Sequence, residues 1–280
     1  LKEIANPPLV LYVKGDADLL AGSALAVVGA RAATSYGQKI AGEVSAGLAR
    51  HGLTVVSGLA LGIDGVAHRA ALAAGGTTIA VLGCGVDLPY PAQHRGLYEE
   101  IAAQGALVSD YPLGTPPEGF RFPARNRIIS GLCRGVVVIE AAKHSGSLIT
   151  AELAMEQGRE VFAVPGRIDS AKSEGCHRLI REGATLIHSV ADILAELRYP
   201  VATTAATIAP AGAVADDAPL SAEEQCIIAC LEAYPKDIDT IITATRLSAQ
   251  KVASLLLGLE LKGVVAAHPG QQYQRLGATS

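Results

Sequence analysis

FRFPARNRIISGLCRGVVVIEAAKHSGSLITAELAMEQGREVFAVPG, residues 120–166, is the stretch whose reading decides the fold. At its centre Arg134-Gly-Val-Val-Val-Ile-Glu140 is a continuous β-branched run, the pattern of a strand buried on both faces of a parallel sheet. Lys143 and Ser145-Gly-Ser147 follow it and open a helix read over Leu148–Gly158. Small residues at a helix start leave N–H groups free, and the helix dipole favours an anion beside them. From Arg121 to Lys143 five basic residues (Arg121, Arg125, Arg127, Arg134 and Lys143) stand against one acid, Glu140, which points to phosphate as the ligand.

Working outward, apolar runs and helical segments alternate. Strands are expected at Leu9–Val13, Leu25–Gly29, Leu53–Ser57, Thr77–Leu82, Leu107–Ser109, Gly135–Glu140, Glu160–Ala163 and Thr185–His188. Helices are expected at Tyr36–His51, Ile63–Ala74 and His94–Gln104, each closing on or near glycine. The alternation predicts an α/β chain, a Rossmann-like doubly wound and mostly parallel sheet that binds ligands at the carboxyl ends of its strands. This first domain spans residues 1–198. Residues 199–220 are a flexible linker by composition, with no Lys or Arg from Pro200 to Pro219. Residues 221–280 form a small C-terminal winged-helix domain: helices at Ser221–Ala233, Asp239–Leu247 and Ser248–Gly263, then a hairpin over Val264–Leu276 broken at Pro269-Gly270. Ser221 and Glu224 have the spacing of a capping box.

Composition narrows the function. The 280 residues are half apolar with a formal net charge of −4, so no global basic field would hold a nucleic acid, and a local patch must do so. Five cysteines with no CxxC spacing suit reduced thiols in a cytoplasmic protein. No run reaches the length of a membrane span and no signal peptide is read, so no membrane partner is expected. The chain opens at Leu1 rather than Met, so a segment upstream of it is expected.

Three further turns carry candidate contacts. Val27-Val-Gly29-Ala-Arg31 lacks the G-x-G-x-x-G and the following acidic residue of a dinucleotide site, so Arg31 reads as a phosphate contact, against the plainer alternative of a surface ion pair. Ser57-Gly58, with Gly62, reads as a nest of backbone donors. Asp64 and His68, four apart on one helix face, read as capping or packing residues rather than a catalytic pair. Cys84 reads as a packing residue, and Arg95 could reach the same sheet edge. No G-x-x-x-x-G-K-[ST] is present, which disfavours a nucleotide-hydrolysing P-loop; Glu140 and Glu152 are the nearby carboxylates that a nucleotide hydrolase would need. Eight tyrosines, three phenylalanines and no tryptophan leave Tyr36, Tyr90, Phe120 and Phe122 as stacking candidates, with Phe120 and Phe122 better read as core. A single-strand binder of this composition would depend on phosphate contacts more than on base stacking.

VGAR followed by SYG, SGLALGIDGVAH, TIAVLGCGVDLPYP, the 120–166 segment and GCHRLIREGATLI occur in this order, and together they closely resemble the DprA/Smf DNA-processing protein family, from about Pro8 to Leu197 with a family-like tail. The resemblance implies a non-enzymatic protein without a cofactor. It binds and protects single-stranded DNA during natural transformation and loads the RecA recombinase onto it. Arg31 matches the family's DNA-contacting arginine. The pocket is formed with Arg121, Arg125, Asn126 and Arg127 and with Lys143, Ser145, Gly146 and Ser147; Ser57, Gly58 and, more weakly, Arg95 adjoin it. The resemblance also implies a homodimer through Ile180 and Leu186, which equally fit ordinary core positions, and a recombinase-facing Arg181. Many family members carry a helical module ahead of this domain, and the chain starts too late to show one.

The tail departs from a groove reader: Lys236, Arg246, Lys251, Lys262 and Arg275 are outnumbered by Glu223, Glu224, Glu232, Asp237, Asp239 and Glu260. Protein contact or weak duplex binding fits it better than sequence-specific binding. The alternative function is a nucleotide-processing enzyme of the related LOG-type phosphoribohydrolase group. Its PGGxGTxxE signature is not matched, since the comparable turn, Ser145 to Glu152, lacks the double glycine. A nucleotide-sensing regulator that binds DNA through its winged helix is a third reading, opposed by the neutral tail.

Overall fold

A computed structural model describes residues 1–199, 221–231, 235–245, 247–262, 264–268 and 272–275. The chain divides into two compact units, Leu1–Thr204 and Ala205–Ser280. The expected linker beyond Tyr199, the turn at Pro269-Gly270, and Glu232 and Arg246 lie outside the described residues.

The first unit is an eight-stranded sheet. Its strands are β1 (Tyr12–Gly15), β2 (Ala24–Val28), β3 (Thr54–Ser57), β4 (Thr78–Val81), β5 (Ala106–Ser109), β6 (Gly135–Val138), β7 (Glu160–Ala163) and β8 (Thr185–Leu186). They lie in the order β1-β5-β4-β3-β2-β6-β7-β8. All neighbours run parallel except β1, which pairs antiparallel with β5 and closes that edge. The Rossmann-like expectation therefore holds. From β2 the chain builds outward to β5, then returns to lay β6 on the other side of β2. That reversal leaves a crevice at the carboxyl ends of β2 and β6, where open α/β sheets bind ligands.

Every residue of β2, β3, β4 and β6 is buried, because helices cover both sheet faces. Along β2, Leu25 and Val27 face helices α1 (Ser35–Arg50), α2 (Ile63–Ala73) and α7 (Val190–Glu196) through Leu48, Ala67 and Ile193. Ala24, Ala26 and Val28 face α4 (Arg121–Leu132), α5 (Gly146–Glu156) and α6 (Glu174–Arg181) through Ile129, Ala151 and Leu179. Helix α3 (Arg95–Gln104) packs Leu97 and Ile101 on Ala80 and Leu107.

The second unit has three helices, α8 (Ala222–Cys230), α9 (Ile238–Thr245) and α10 (Ala249–Leu261), and the small antiparallel sheet β10-β11-β9 (Val265–His268, Gln272–Arg275, Lys236–Asp237). Ile227, Ile241, Val252, Leu256 and Val265 form its core. Three helices with a β wing make a winged-helix domain. The capping box is formed: Ser221 N–H donates to Glu224 Oε2 at 2.7 Å and Glu224 N–H to Ser221 Oγ at 3.2 Å. Two of its lysines are neutralised by acids, Lys251 by Glu223 at 2.5 Å and Lys262 by Glu224 at 2.7 Å.

Candidate nucleic-acid interface

A pocket of about 310 Å³ opens at the β2/β6 crevice, lined among others by Gly29, Arg31, Asp64, Asn126, Ser145 and Ser147. All but Asn126, which sits within α4, come from a loop leaving a strand or from a helix start. Gly29 and Arg31 leave β2, and this loop lies so close to the start of α2 that Gly62, at φ +77°, could carry no side chain: a Cβ there would collide with the carbonyls of Ala30 and Arg31. Arg31 is exposed, and its guanidinium lies 5.8 Å from the centre of the Phe122 ring. Among the described residues no acid pairs with it, which leaves its charge for the pocket.

The opposite wall is the first turn of α5. Its N-cap, Ser145, makes no side-chain capping bond; the Ser145 and Ser147 hydroxyls bond each other at 2.8 Å. Of the N–H groups of that turn, Leu148 N–H donates back to Ser145 O at 3.1 Å; those of Gly146 and Ser147 sit ahead of it at the positive end of the helix dipole. Asn126 braces the wall, its Nδ2 donating to Gly146 O at 3.4 Å while Oδ1 accepts from Arg125 Nε at 3.2 Å. Lys143 is exposed in the loop leading to this turn.

Several expected contacts have other partners. Arg125 is buried, donating to the carbonyls of Gly58, at 3.1 Å, and Val81. Burial pulls its pKa down to about 10, against the opposing pull of the Asp64 carboxylate. It lines the pocket floor but ties β3 and β4 to α4 rather than projecting into solvent. Arg127 points elsewhere, ion-paired with Asp110 at 2.9 Å and donating to Asn6 O at 3.0 Å. Arg121 folds back on Glu118 at 3.4 Å and on the Pro116 carbonyl. Ser57 is fully buried and donates to Val27 O at 2.7 Å. The nest expected at Ser57-Gly58 is filled by the protein itself: Gly58 N–H and Ala60 N–H donate to Asp64 Oδ2 at 3.1 and 3.3 Å. Of the two readings of Asp64, capping or packing, the second fits: it is buried and braces the loop ahead of α2, whose N-cap, Gly62, has no side-chain bond, and burial raises its pKa against the pull of Arg125. Arg95 is exposed and does not line the pocket.

The core reading of Phe120 is corrected: its side chain is 68 % exposed, with Arg121 5.3 Å from the ring centre. Phe122 is half-buried and stacks on exposed Tyr90, centroids 5.6 Å apart. Tyr36 donates to Pro165 O at 3.1 Å. Cys84 is buried, as expected of a packing residue.

Neither carboxylate that a nucleotide hydrolase would use reaches the pocket. Glu140 is buried against the start of α1, accepting from the N–H of the N-cap Thr34 at 2.9 Å and from its hydroxyl. Glu152 pairs with Arg178 at 3.0 Å. Across the pocket a guanidinium faces a helix start, two groups that each favour an anion. At the far sheet edge Ile180 is half-buried against the core, Leu186 is 38 % exposed on the terminal strand β8, and Arg181 is exposed. Among the described residues no helix is long and apolar enough to cross a membrane.

Comparison with known proteins finds matching family profiles and relatives. The family profile described as DNA recombination-mediator protein A matches residues 1–198, and that of the DprA winged helix domain matches residues 211–271. The chain is 52 % identical over 199 residues to the DNA processing protein DprA of Streptococcus pneumoniae, covering 71 % of this chain and 70 % of that one. It is 44 % identical over 269 residues to the Smf protein of Escherichia coli, covering 94 % and 71 %. The X-ray structure of the S. pneumoniae protein superposes with a TM-score of 0.68 over 70 % of this chain and 69 % of that one. DNA processing protein A of Helicobacter pylori, whose structure is described as giving insight into its single-stranded DNA binding mode, superposes with a TM-score of 0.65 at 32 % identity, covering 70 % and 89 %.

Proposed function

The chain belongs to the DprA/Smf DNA-processing family, and from that premise we propose that its first domain binds single-stranded DNA at the β2/β6 crevice and hands it to the RecA recombinase. The observation that carries this reading is the pairing of an unneutralised cation, Arg31, with the uncapped start of α5 across one open pocket. Together they offer a phosphate both charge and aligned N–H donors. Arg31, Lys143, Ser145, Gly146 and Ser147 hold the strand. Asn126 and Arg125 keep the walls in place from beneath. The protein is a mediator rather than an enzyme: it holds and protects the strand and changes no bond in it. It works in the cytoplasm as a homodimer joined at the β8 edge through Ile180 and Leu186, with Arg181 turned to the recombinase.

Fluorescence anisotropy with labelled single-stranded and duplex oligonucleotides tests the reading. Tight binding that prefers the single strand is expected. Equal affinity for duplex, or no binding at low salt, would contradict it. Loading is tested separately, by whether the protein speeds RecA filament formation on strands coated with single-strand-binding protein.

A further inference from the structure

At the other end of the sheet from the crevice, where His51 and Arg134 lead into β3 and β6, lies a second open hollow, of about 280 Å³. It is lined by His51, Ala191, Leu194, Ala195, Arg198 and Tyr199. Helix α7 ends beside it in a Schellman turn: Tyr199 N–H donates to Leu194 O at 2.9 Å and Arg198 N–H to Ala195 O at 3.1 Å. That turn puts Arg198 in the left-handed region, at φ +47°, where a side chain costs stability. After α1, α2, α5 and α6 the matching left-handed residue is a glycine, namely Gly52, Gly75, Gly158 and Gly183. Of these five helices only α7 carries a side chain there, and it is a long cation at the mouth of a hollow. A residue held in an unfavourable conformation at a cavity points to a use for its side chain.

We propose that this hollow binds a small aromatic acid, its ring on Leu194, Ala195 and Tyr199 and its carboxylate on the Arg198 guanidinium. Arg198 is exposed, and among the described residues no acid pairs with it; Glu196 on α7 is exposed and lines no part of the hollow. A carboxylate matches the fork of a guanidinium. The rest of the lining is apolar or aromatic, so it favours a body without polar substituents. Tyr199 supplies a flat wall on which a ring can stack. Its own ring is held by Arg134, whose guanidinium lies 5.8 Å from the ring centre and donates to Leu197 O at 2.9 Å. His51 is fixed as a further wall, its Nδ1 donating to Gly47 O at 2.8 Å. The volume admits a one- or two-ring body. Helix α1 separates the two sites: its 16 residues run about 24 Å from Thr34 to His51. The acid site therefore stands whether or not the crevice holds a strand.

The test is calorimetric titration of the full chain with naphthoate, with naphthalenemethanol as an uncharged analogue of the same shape and octanoate as an acid without a ring. Naphthoate is expected to bind one per chain, about tenfold tighter than the alcohol, the worth of one charge-assisted hydrogen bond. It should also bind tighter than octanoate. Arg198→Gly should lower naphthoate affinity about tenfold and leave the alcohol unchanged. Because glycine is at ease in the left-handed region, that variant should keep or raise the urea midpoint, so its loss of binding cannot come from unfolding. Ala195→Glu, which offers Arg198 a carboxylate from within the helix, should block naphthoate as well. Absence of naphthoate binding, or equal affinity for acid and alcohol, would overturn the proposal. Naphthoate affinity unchanged in both variants would overturn it too, by placing the acid elsewhere. Octanoate binding as tightly as naphthoate would remove the aromatic specificity on which it rests.

Discussion

Arg31 and Arg125 lie in the same pocket and are expected to answer substitution in opposite ways. Arg125 is buried and bonded to two backbone carbonyls and Asn126, with Asp64 as its counter-charge. Arg125→Met leaves Asp64 buried without that cation and should cost about 3 kcal/mol or more. Arg31→Ala removes an exposed side chain and should change stability by less than about 0.5 kcal/mol. Urea denaturation midpoints separate the two; comparable losses would contradict the division between scaffold and contact. His68 gives a pH signature. Its Nδ1 lies 2.6 Å from Thr78 Oγ1, which itself donates to Val55 O, so Nδ1 is the donor and Nε2, buried and unpartnered, carries no proton. Burial, with His94, Arg69 and Arg125 adding repulsion, lowers its pKa to about 3. The unfolded chain, titrating near 6.5, therefore takes up the proton first. Stability from this group is complete above about pH 6.5 and falls toward pH 3 by up to about 1.4 kcal/mol per unit. His68→Asn should flatten that part of the stability profile, and an unchanged slope would contradict the assignment.

At the scale of elements, the helix starts decide where ligands can go. Helix α1 begins on Thr34, which accepts from Gly37 N–H at 3.0 Å and is in turn held by Glu140, so its N-terminus is closed to an external anion. Helix α5 is left open. Thr34→Ala should cost about 1 kcal/mol in the denaturation midpoint; no loss would mean that α1 gains little from its cap. The strands were readable in the sequence because their apolar runs are buried on both faces. Leu9–Val13 was the loosest match: Leu9 is fully exposed after Pro7-Pro8, and pairing starts at Tyr12. Helix α4 carries no amphipathic signature in the sequence, since Arg125 and Asn126 face inward beside Ile128 and Ile129 and erase the apolar stripe. This is why all three of its arginines look like ligand groups in the sequence: charge can be counted along a chain, but the partners of Arg127 and Arg125 (Asp110 and two strand-end carbonyls) lie on other segments, and Glu118, three residues before Arg121, falls just outside the 120–166 stretch. Helix α7 carries a sequence signal of its own, the Ser189–Asp192 capping pair in which Ser189 N–H donates to Asp192 Oδ2 at 2.9 Å.

At the scale of the whole molecule, a chain of net charge −4 holds a polyanion only if attraction is confined to a small patch. The crevice supplies one, with Arg31 and Lys143 free of ion pairs among the described residues while Arg121 and Arg127 are neutralised. The second unit adds little positive field, since Lys251 and Lys262 are paired with acids. Lys251→Ala should accordingly leave single-strand affinity within about twofold, as expected for an exposed paired charge; a larger loss would place the strand on the winged helix. The most direct measurement is the salt dependence of single-strand affinity in the wild-type chain, Arg31→Ala and Lys143→Ala. Each phosphate contact contributes about −0.7 to the slope of log affinity against log salt. The wild-type slope is expected to be steep, and each substitution to weaken binding and lower the slope by about that one contact. Slopes and affinities unchanged in both variants would show that the strand does not lie at the β2/β6 crevice.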